Sequence, residues 1–294
     1  MHYTGTIWRP PYEAKSTLVQ VTAGCTHHKC KFCTLYEDVP FKFRMSPLSE
    51  VEADLKELNY YYQNTKRVFF TGANPFVLGF DKLKTLAELV RKYYPKVDSI
   101  GCFARITDIT PKTTEQLRKL RKMGYNGFTI GVEAGDEESL SFMNKGFSTK
   151  EIIEECKRLD EVGMEYNFFY LAGIYGSKHM EEGVKNTAKV FNQLHPKIIV
   201  SSMLTIYPSS ELYQEIQNRN WAEETEIEKL YELRTLLNSL NIDTYFATMG
   251  ASNCINVEGH LPKDRKKMIK WLDEVIHSVD EKELRRYREN LQHL

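Results

Sequence analysis

The sequence has no charge of either sign to spare: 40 basic residues balance 40 acidic ones over 294 positions. Gripping nucleic acid or an anionic membrane draws on a basic excess, so neither is expected as this chain's main task. It holds no run of 18 apolar residues, so no transmembrane helix is expected. The first fifteen residues, MHYTGTIWRPPYEAK, lack the apolar core of a secretory leader, which points to a cytoplasmic chain. Internal repeats and low-complexity tracts are missing too. Cysteine is scarce, with six in all, and without a leader a disulfide framework is not expected.

What cysteine there is lies unevenly. Cys25, Cys30 and Cys33 fall within nine residues, whereas Cys102, Cys156 and Cys254 stand alone. Thiolates crowded this closely repel one another unless a metal or cluster takes up their charge. Cys102 and Cys156 read as small buried hydrophobes in apolar surroundings; Cys254 reads as a loop thiol. Three thiolates can hold three irons of a 4Fe–4S cluster and leave the fourth open to a small ligand. A structural zinc would want four ligands, and His27 or His28 could complete such a set. Both readings stay open on the residues alone.

Strand-like apolar runs alternate with amphipathic stretches. Strands are predicted at 16–21, 67–71, 98–104, 127–133, 165–173 and 197–206, and helices at 48–62, 80–94, 111–123, 149–162 and 180–194. Proline near the start of 111–123 and Gly124 and Gly163 just past helix ends give the expected punctuation. The runs are apolar on both sides, as covered parallel strands are. Right-handed crossovers then lead to a closed barrel or to an open doubly wound sheet, both of which place chemistry after strand C-termini. After Pro208 helices dominate, at 209–217, 223–241, 262–279 and 281–291. A Gly-, Ser- and Asn-rich break at 244–259 carries a little β-like sequence. The basic runs at 263–270 and 285–288 alternate with acids and read as solvated helix faces.

The cysteine loop and the succession of strand ends resemble the radical S-adenosylmethionine (SAM) superfamily, most closely its elongator-type and oxygen-independent coproporphyrinogen oxidase-like subgroup. The similarity runs over about 16–208. Cys30-Lys31-Phe32-Cys33 matches the second half of the family's loop; the first gap departs, with four residues between Cys25 and Cys30 where the family usually has three. The segment 127–136 with Leu140-Ser-Phe-Met-Asn-Lys-Gly146, then Leu171-Ala-Gly-Ile-Tyr-Gly-Ser177 and Ile206-Tyr-Pro-Ser-Ser-Glu-Leu212, resemble its fourth, fifth and sixth strand ends in order.

The resemblance implies an α/β fold, a partial (β/α)6 TIM-like barrel with a mostly helical C-terminal extension. It divides the chain into an N-terminal arm (1–15), a core (16–208) and an extension (209–294). It implies an enzyme in which a 4Fe–4S cluster on Cys25, Cys30 and Cys33 binds SAM at its open iron and cleaves it reductively. The resulting 5′-deoxyadenosyl radical takes hydrogen from a small-molecule substrate. A reduced flavodoxin- or ferredoxin-type donor would supply the electron. Phe32 would meet the adenine; Gly72, Ala73 and Asn74 would receive the SAM amino group, the usual acidic residue being absent there. Arg105 and Arg158 could pair with the SAM carboxylate, although a salt bridge to Asp108 and solvated helix charge are their respective alternatives. Glu133 closes an apolar run, where a carboxylate needs a partner; the ribose or sulfonium would suit it. Gly173 and Tyr207 would line the adenine pocket. Lys145 stands at a family-like position. Tyr3, Trp8, Arg9 and Pro10-Pro11 form an aromatic arm that could close over substrate, and His260 and Cys254 could reach it. No second cysteine cluster, cobalamin segment or RNA-binding domain is found, which disfavours the members that depend on them.

Overall fold

A run that is apolar on both sides is satisfied only as a covered strand, and such runs build both units of the computed structural model, which describes residues 1–291. The first unit takes Met1–His28, Leu35–Gly131 and Glu155–Tyr166. In chain order it carries β1 (Thr17–Gln20), β2 (Thr22–Gly24), β3 (Phe43–Met45), α1 (Leu48–Tyr61), β4 (Arg67–Thr71), α2 (Phe80–Tyr93), β5 (Ser99–Ala104), α3 (Ile106–Ile109), α4 (Thr114–Lys122) and most of β6 (Phe128–Glu133). Strands β1, β4, β5 and β6 pair in parallel in that order, with Val19 opposite Phe70, Phe69 opposite Gly101 and Phe103 opposite Thr129. Val19, Phe69, Phe70 and Ile100 are fully buried, and Phe76 packs on Phe128 with ring centroids 4.4 Å apart. The N-terminal arm is tied down: Glu13 is buried and takes the Arg67 guanidinium at 2.6–3.0 Å, and the Tyr12 hydroxyl meets Thr129 Oγ1 at 2.7 Å.

The second unit takes Lys29–Thr34, Val132–Glu154 and the chain from Asn167 onward. Its elements are α5 (Glu137–Phe142), the first part of α6 (Thr149–Glu161), nearly all of β7 (Tyr166–Ala172), α7 (Met180–Phe191), β8 (Ile198–Met203), α8 (Glu211–Gln217), α9 (Glu226–Ser239), β9 (Thr244–Thr248), β10 (Glu258–Leu261), α10 (Arg265–Ser278) and α11 (Glu281–Glu289). Here β7, β8 and β9 run parallel and β10 returns antiparallel to β9. Phe168 and Phe191, 5.0 Å apart, join β7 to α7, and Leu233, Leu236 and Leu237 of α9 are fully buried.

All six predicted strands are present, as β1, β4, β5, β6, β7 and β8, and the fold is α/β with mostly parallel strands. Three details differ from the sequence reading. The chain turns after Val21 into a separate antiparallel pair, β2 with β3. The stretch predicted as one helix at 111–123 is preceded by the short α3, and only 114–122 is regular α-helix, started by a Thr113–Gln116 capping box. The break at 244–259 contains β9 and the start of β10, because Phe246, Ala247 and Thr248 find cover beside β8. No helix among the described residues is long and apolar enough to cross a membrane.

Candidate cluster and cofactor site

The six thiols fall into two environments. Cys25, Cys30 and Cys33 are half-buried in the loop after β2 and belong to no disulfide. Cys102 and Cys156 are fully buried, and burial pushes both thiols far up. Cys254 is half-buried, with its sulfur 3.6 Å from Met203 Sδ. Only the loop thiols combine clustering with solvent access, which is the donor set a thiolate-held cluster needs. As the loop stands, no three His, Cys, Asp or Glu side chains among the described residues are gathered tightly enough to hold a single metal ion. His28 is exposed and takes a left-handed φ of 48°. The division between the two units falls after His28, so the candidate residues are described unit by unit.

In the first unit, a chain of buried polar groups starts beside Cys25. Asn74 is fully buried; its amide nitrogen donates to Thr26 Oγ1 at 2.7 Å and to Asp108 Oδ1 at 3.0 Å, while its oxygen accepts from the Thr26 backbone at 3.3 Å. Asp108 in turn accepts the Arg105 backbone N–H at 2.8 Å. Asn74 therefore spends both ends of its amide on the protein, binding the residue after Cys25 to the α3 turn. Burial pushes Asp108 up to about 6 against the hydrogen bonds from Arg105 and Asn74. Burial also lowers Lys112 to about 8; its ammonium donates to the carbonyls of Phe76 (2.7 Å) and Asp108 (2.8 Å). Gly72 has φ 116°, and a Cβ there would lie 2.2 Å from Thr22 Oγ1, so only glycine permits this approach of β4 to β2. Ala73 is half-exposed. Arg105 is 8% exposed, with Nε 3.5 Å from Thr107 Oγ1. Arg158 places its guanidinium on Glu155 and on the Lys112 carbonyl.

In the second unit, the loop between Cys30 and Cys33 is held by backbone bonds. Lys31 N–H donates to Met143 O at 3.1 Å, Leu212 N–H donates to Lys31 O at 2.7 Å, and Cys33 N–H turns back to Cys30 O at 3.0 Å. Lys31 pairs with Glu215 and lies 4.4 Å from the Phe142 ring centroid. Phe32 belongs to a small cluster: the Lys145 ammonium is 5.6 Å from its ring centroid, 5.5 Å from that of Phe147 and 3.3 Å from Glu133 Oε1. Glu133, the last residue of β6, has φ 65°. A left-handed non-glycine residue costs on the order of 1–3 kcal/mol and tends to mark functional positions. The carboxylate at this strand end thus has the partner that the sequence argument demanded. That partner, Lys145, was not among the expected cofactor contacts; the signal for it was Asn144-Lys145-Gly146, where Asn144 and Gly146 take φ of 54° and 74°. Gly173 has φ 94° and donates its N–H to Glu232 Oε2 at 2.7 Å. Tyr207 is half-exposed, yet its hydroxyl is buried with no partner in the structure, and burial raises its pKa.

The structure thus brings together Asn74, Arg105 and the neighbour of Cys25 in one unit, and Phe32 and Glu133 with Lys145 in the other. Arg158 reaches the first group only indirectly, through Lys112 to Asp108, and Gly173 and Tyr207 join neither group through any contact described above.

The family model described as the radical SAM superfamily matches residues 19–189. The heme chaperone HemW of Bacillus subtilis (strain 168) is 23% identical over 155 residues, covering 52% of this chain and 40% of its own length. The chain thus spans about two-fifths of that curated relative. Among solved structures, methylornithine synthase (PylB) aligns with a TM-score of 0.55 at 14% identity, over 92% of this chain and 85% of its own. The radical SAM methyltransferase TsrM from Kitasatospora setae, with cobalamin and a [4Fe-4S] cluster bound, aligns at 0.56 and 17%, over 69% and 39%. At such identities the likeness carries the fold.

Proposed function

The chain belongs to the radical SAM superfamily, and from that premise we propose that it is an enzyme that cleaves SAM reductively and abstracts hydrogen from a small-molecule substrate. The observation that carries this reading is that the three half-exposed loop thiols all fall inside the matched stretch. Cys25, Cys30 and Cys33 are the ligands of a 4Fe–4S cluster with one open iron. Once bound, the cluster supplies the electron that breaks the sulfonium of SAM and so provides the hydrogen-abstracting radical.

The remaining tasks fall to this chain's residues. Asn74 and Asp108 hold the segment after Cys25, and Arg105 offers a guanidinium for a carboxylate beside it. Phe32 offers a ring face, and Glu133, steadied by Lys145, offers a carboxylate for hydroxyls or a cationic centre. Family membership favours this reading over a zinc site of three cysteines and a histidine. A reduced flavodoxin- or ferredoxin-type protein is the electron donor in this reading, and the cytoplasm, which keeps thiols reduced, is the compartment.

The test is anaerobic reconstitution. The protein should turn brown, bind about four irons and four sulfides, and release 5′-deoxyadenosine from SAM on reduction. Cys30→Ala should lose both cluster and cleavage. A colourless protein holding stoichiometric zinc overturns the proposal. The relative that is a heme chaperone supports a second reading, haem carriage; stoichiometric haem binding by a cluster-loaded protein that never cleaves SAM would establish it instead.

A further inference from the structure

The second unit buries more carboxyls than cations. Glu224, Glu226, Glu232 and Lys229 are 0% exposed, and Arg288 is 3% exposed. Glu226 accounts for both cations: it accepts Arg288 Nε at 2.7 Å and Nη2 at 2.8 Å, and Lys229 Nζ at 3.1 Å. Burial pushes Glu226 up, yet Arg288 and Lys229 outweigh it and hold the carboxyl below its ordinary range. Lys229 has its other bonds to Leu204 O (3.2 Å) and Glu223 (3.0 Å).

Glu232 is differently placed. Its Oε1 accepts the Tyr170 hydroxyl and its Oε2 accepts the Gly173 N–H. Glu224 receives no donor at either carboxyl oxygen, and both oxygens are buried. The group within its hydrogen-bond reach is the Glu232 carboxyl. Two carboxyls bond to each other only when one carries a proton, and a buried carboxylate with neither cation nor donor is too costly to keep.

We propose that Glu224 and Glu232 form a buried acid pair sharing one proton, and that Glu232 of this pair is a positioning residue that fixes the end of β7 at Gly173. Charge count, burial and the orphaned oxygens all call for that proton. The surroundings agree: burial drives both carboxyls upward, Glu228 and Glu232 raise Glu224 further while Lys229 relieves it, and Tyr170, the Gly173 N–H and Lys229 relieve Glu232, whose charge also reaches Tyr175. The nearby Glu223 and Glu226 are taken up by Arg285, Arg288 and Lys229. Gly173 is gripped from both sides, with its N–H on Glu232 and its α-carbon so near Lys229 that a Cβ would lie 2.8 Å from Lys229 Cε. The turn it opens, Gly173-Ile174-Tyr175-Gly176, is therefore set by α9. That this turn faces the cofactor rests on the reading given above.

Infrared spectroscopy and SAM binding test the two parts separately, using full-length protein reconstituted with its cluster and left unreduced. The wild type should show a protonated-carboxyl C=O band that persists at pH 8 and disappears in Glu224→Gln. The amide of Glu224→Gln can donate where the acid did, so that variant should fold and bind SAM about as well as wild type. Glu232→Gln should keep its full iron content but bind SAM on the order of tenfold more weakly, the worth of one hydrogen bond to a charged group. Should Glu232→Gln not fold, Tyr170→Phe, which removes one donor and leaves the carboxyl, should retain the band in shifted position and weaken SAM binding. Absence of the band at pH 8, its survival in Glu224→Gln, or a Glu224→Gln chain that does not fold overturns the acid pair. Unchanged SAM affinity in Glu232→Gln or Tyr170→Phe overturns the positioning role. A wild type that shows the band yet binds no SAM sinks the functional reading and leaves the acid pair standing.

Discussion

The two units bury charge in opposite ways. In the first, each buried acid meets its own cation or a full set of donors: Glu13 takes the Arg67 fork, and Asp108 takes the Arg105 backbone and Asn74. In the second, Asp136 is met in the same way by Ser139, His179 and Asn186, but Glu224, Glu226 and Glu232 are buried around only two buried cations, Lys229 and Arg288, and one of these three carboxyls has no donor from outside the group. The first arrangement fastens backbone to backbone. The second is one connected network, in which removing any member changes the charge balance of all the others. The difference teaches that burial of an ion says little until its partners are counted.

The sharpest way to break the comparison is Lys229→Met. It removes the fully buried one of the three cations facing Glu226, the others being Arg285 and Arg288, and leaves the buried carboxyls one positive charge short, which costs about 3–5 kcal/mol. Urea denaturation should show a large fall in midpoint. A midpoint within error of wild type would mean that the second unit's charges are as independent as the first unit's.

A smaller effect is expected at Asp108, and it depends on pH. The ordinary value for this carboxyl is 3.8, and burial raises it to about 6 in the folded state. The folded protein then holds the proton more tightly than the unfolded chain does. Stability from this group is fully present below about 4 and is lost as pH rises through about 6, a change of about 3 kcal/mol. Lys112, lowered to about 8, acts in a separate window above that. Asp108→Asn cannot titrate, so its stability relative to wild type should improve between pH 4 and 6. Parallel pH profiles for the two proteins would show that Asp108 is held like a surface acid.

Much of the first unit was legible beforehand because parallel strands announce themselves. The apolar runs at 67–71 and 98–104 became β4 and β5 with hardly a shift in boundary. The cysteine loop stood out because three thiols fall within nine residues, and its use as a cluster site belongs to the proposal. The second unit's network was not. Residues 223–232 read as a charged helix start, the pattern that a solvated helix would also show, since i,i+3 spacing of Glu226 and Lys229 is the same in water and in a core. What pairs with Glu226 in the interior is Arg288, far away in α11, where the basic run reads as a solvated face but this arginine is 3% exposed. Local pattern cannot report a partner that distant. The hairpin β2–β3 was hidden for the same reason, as its second strand lies beyond the whole cysteine loop.

The smallest effect is expected where neither kind of burial operates. Lys150 and Glu154 stand 3.6 Å apart on α6 at i,i+4 spacing, 80% and 56% exposed. Water solvates both charges nearly as well apart as together, and ordering two long side chains offsets the remaining attraction. Lys150→Ala also exchanges a good helix former for the best one. Its melting midpoint should therefore match wild type in dilute buffer and in high salt. If the midpoint fell instead, and salt abolished the difference, even the exposed pairs would belong to a coupled charge network, and the contrast between the two units would lose its meaning.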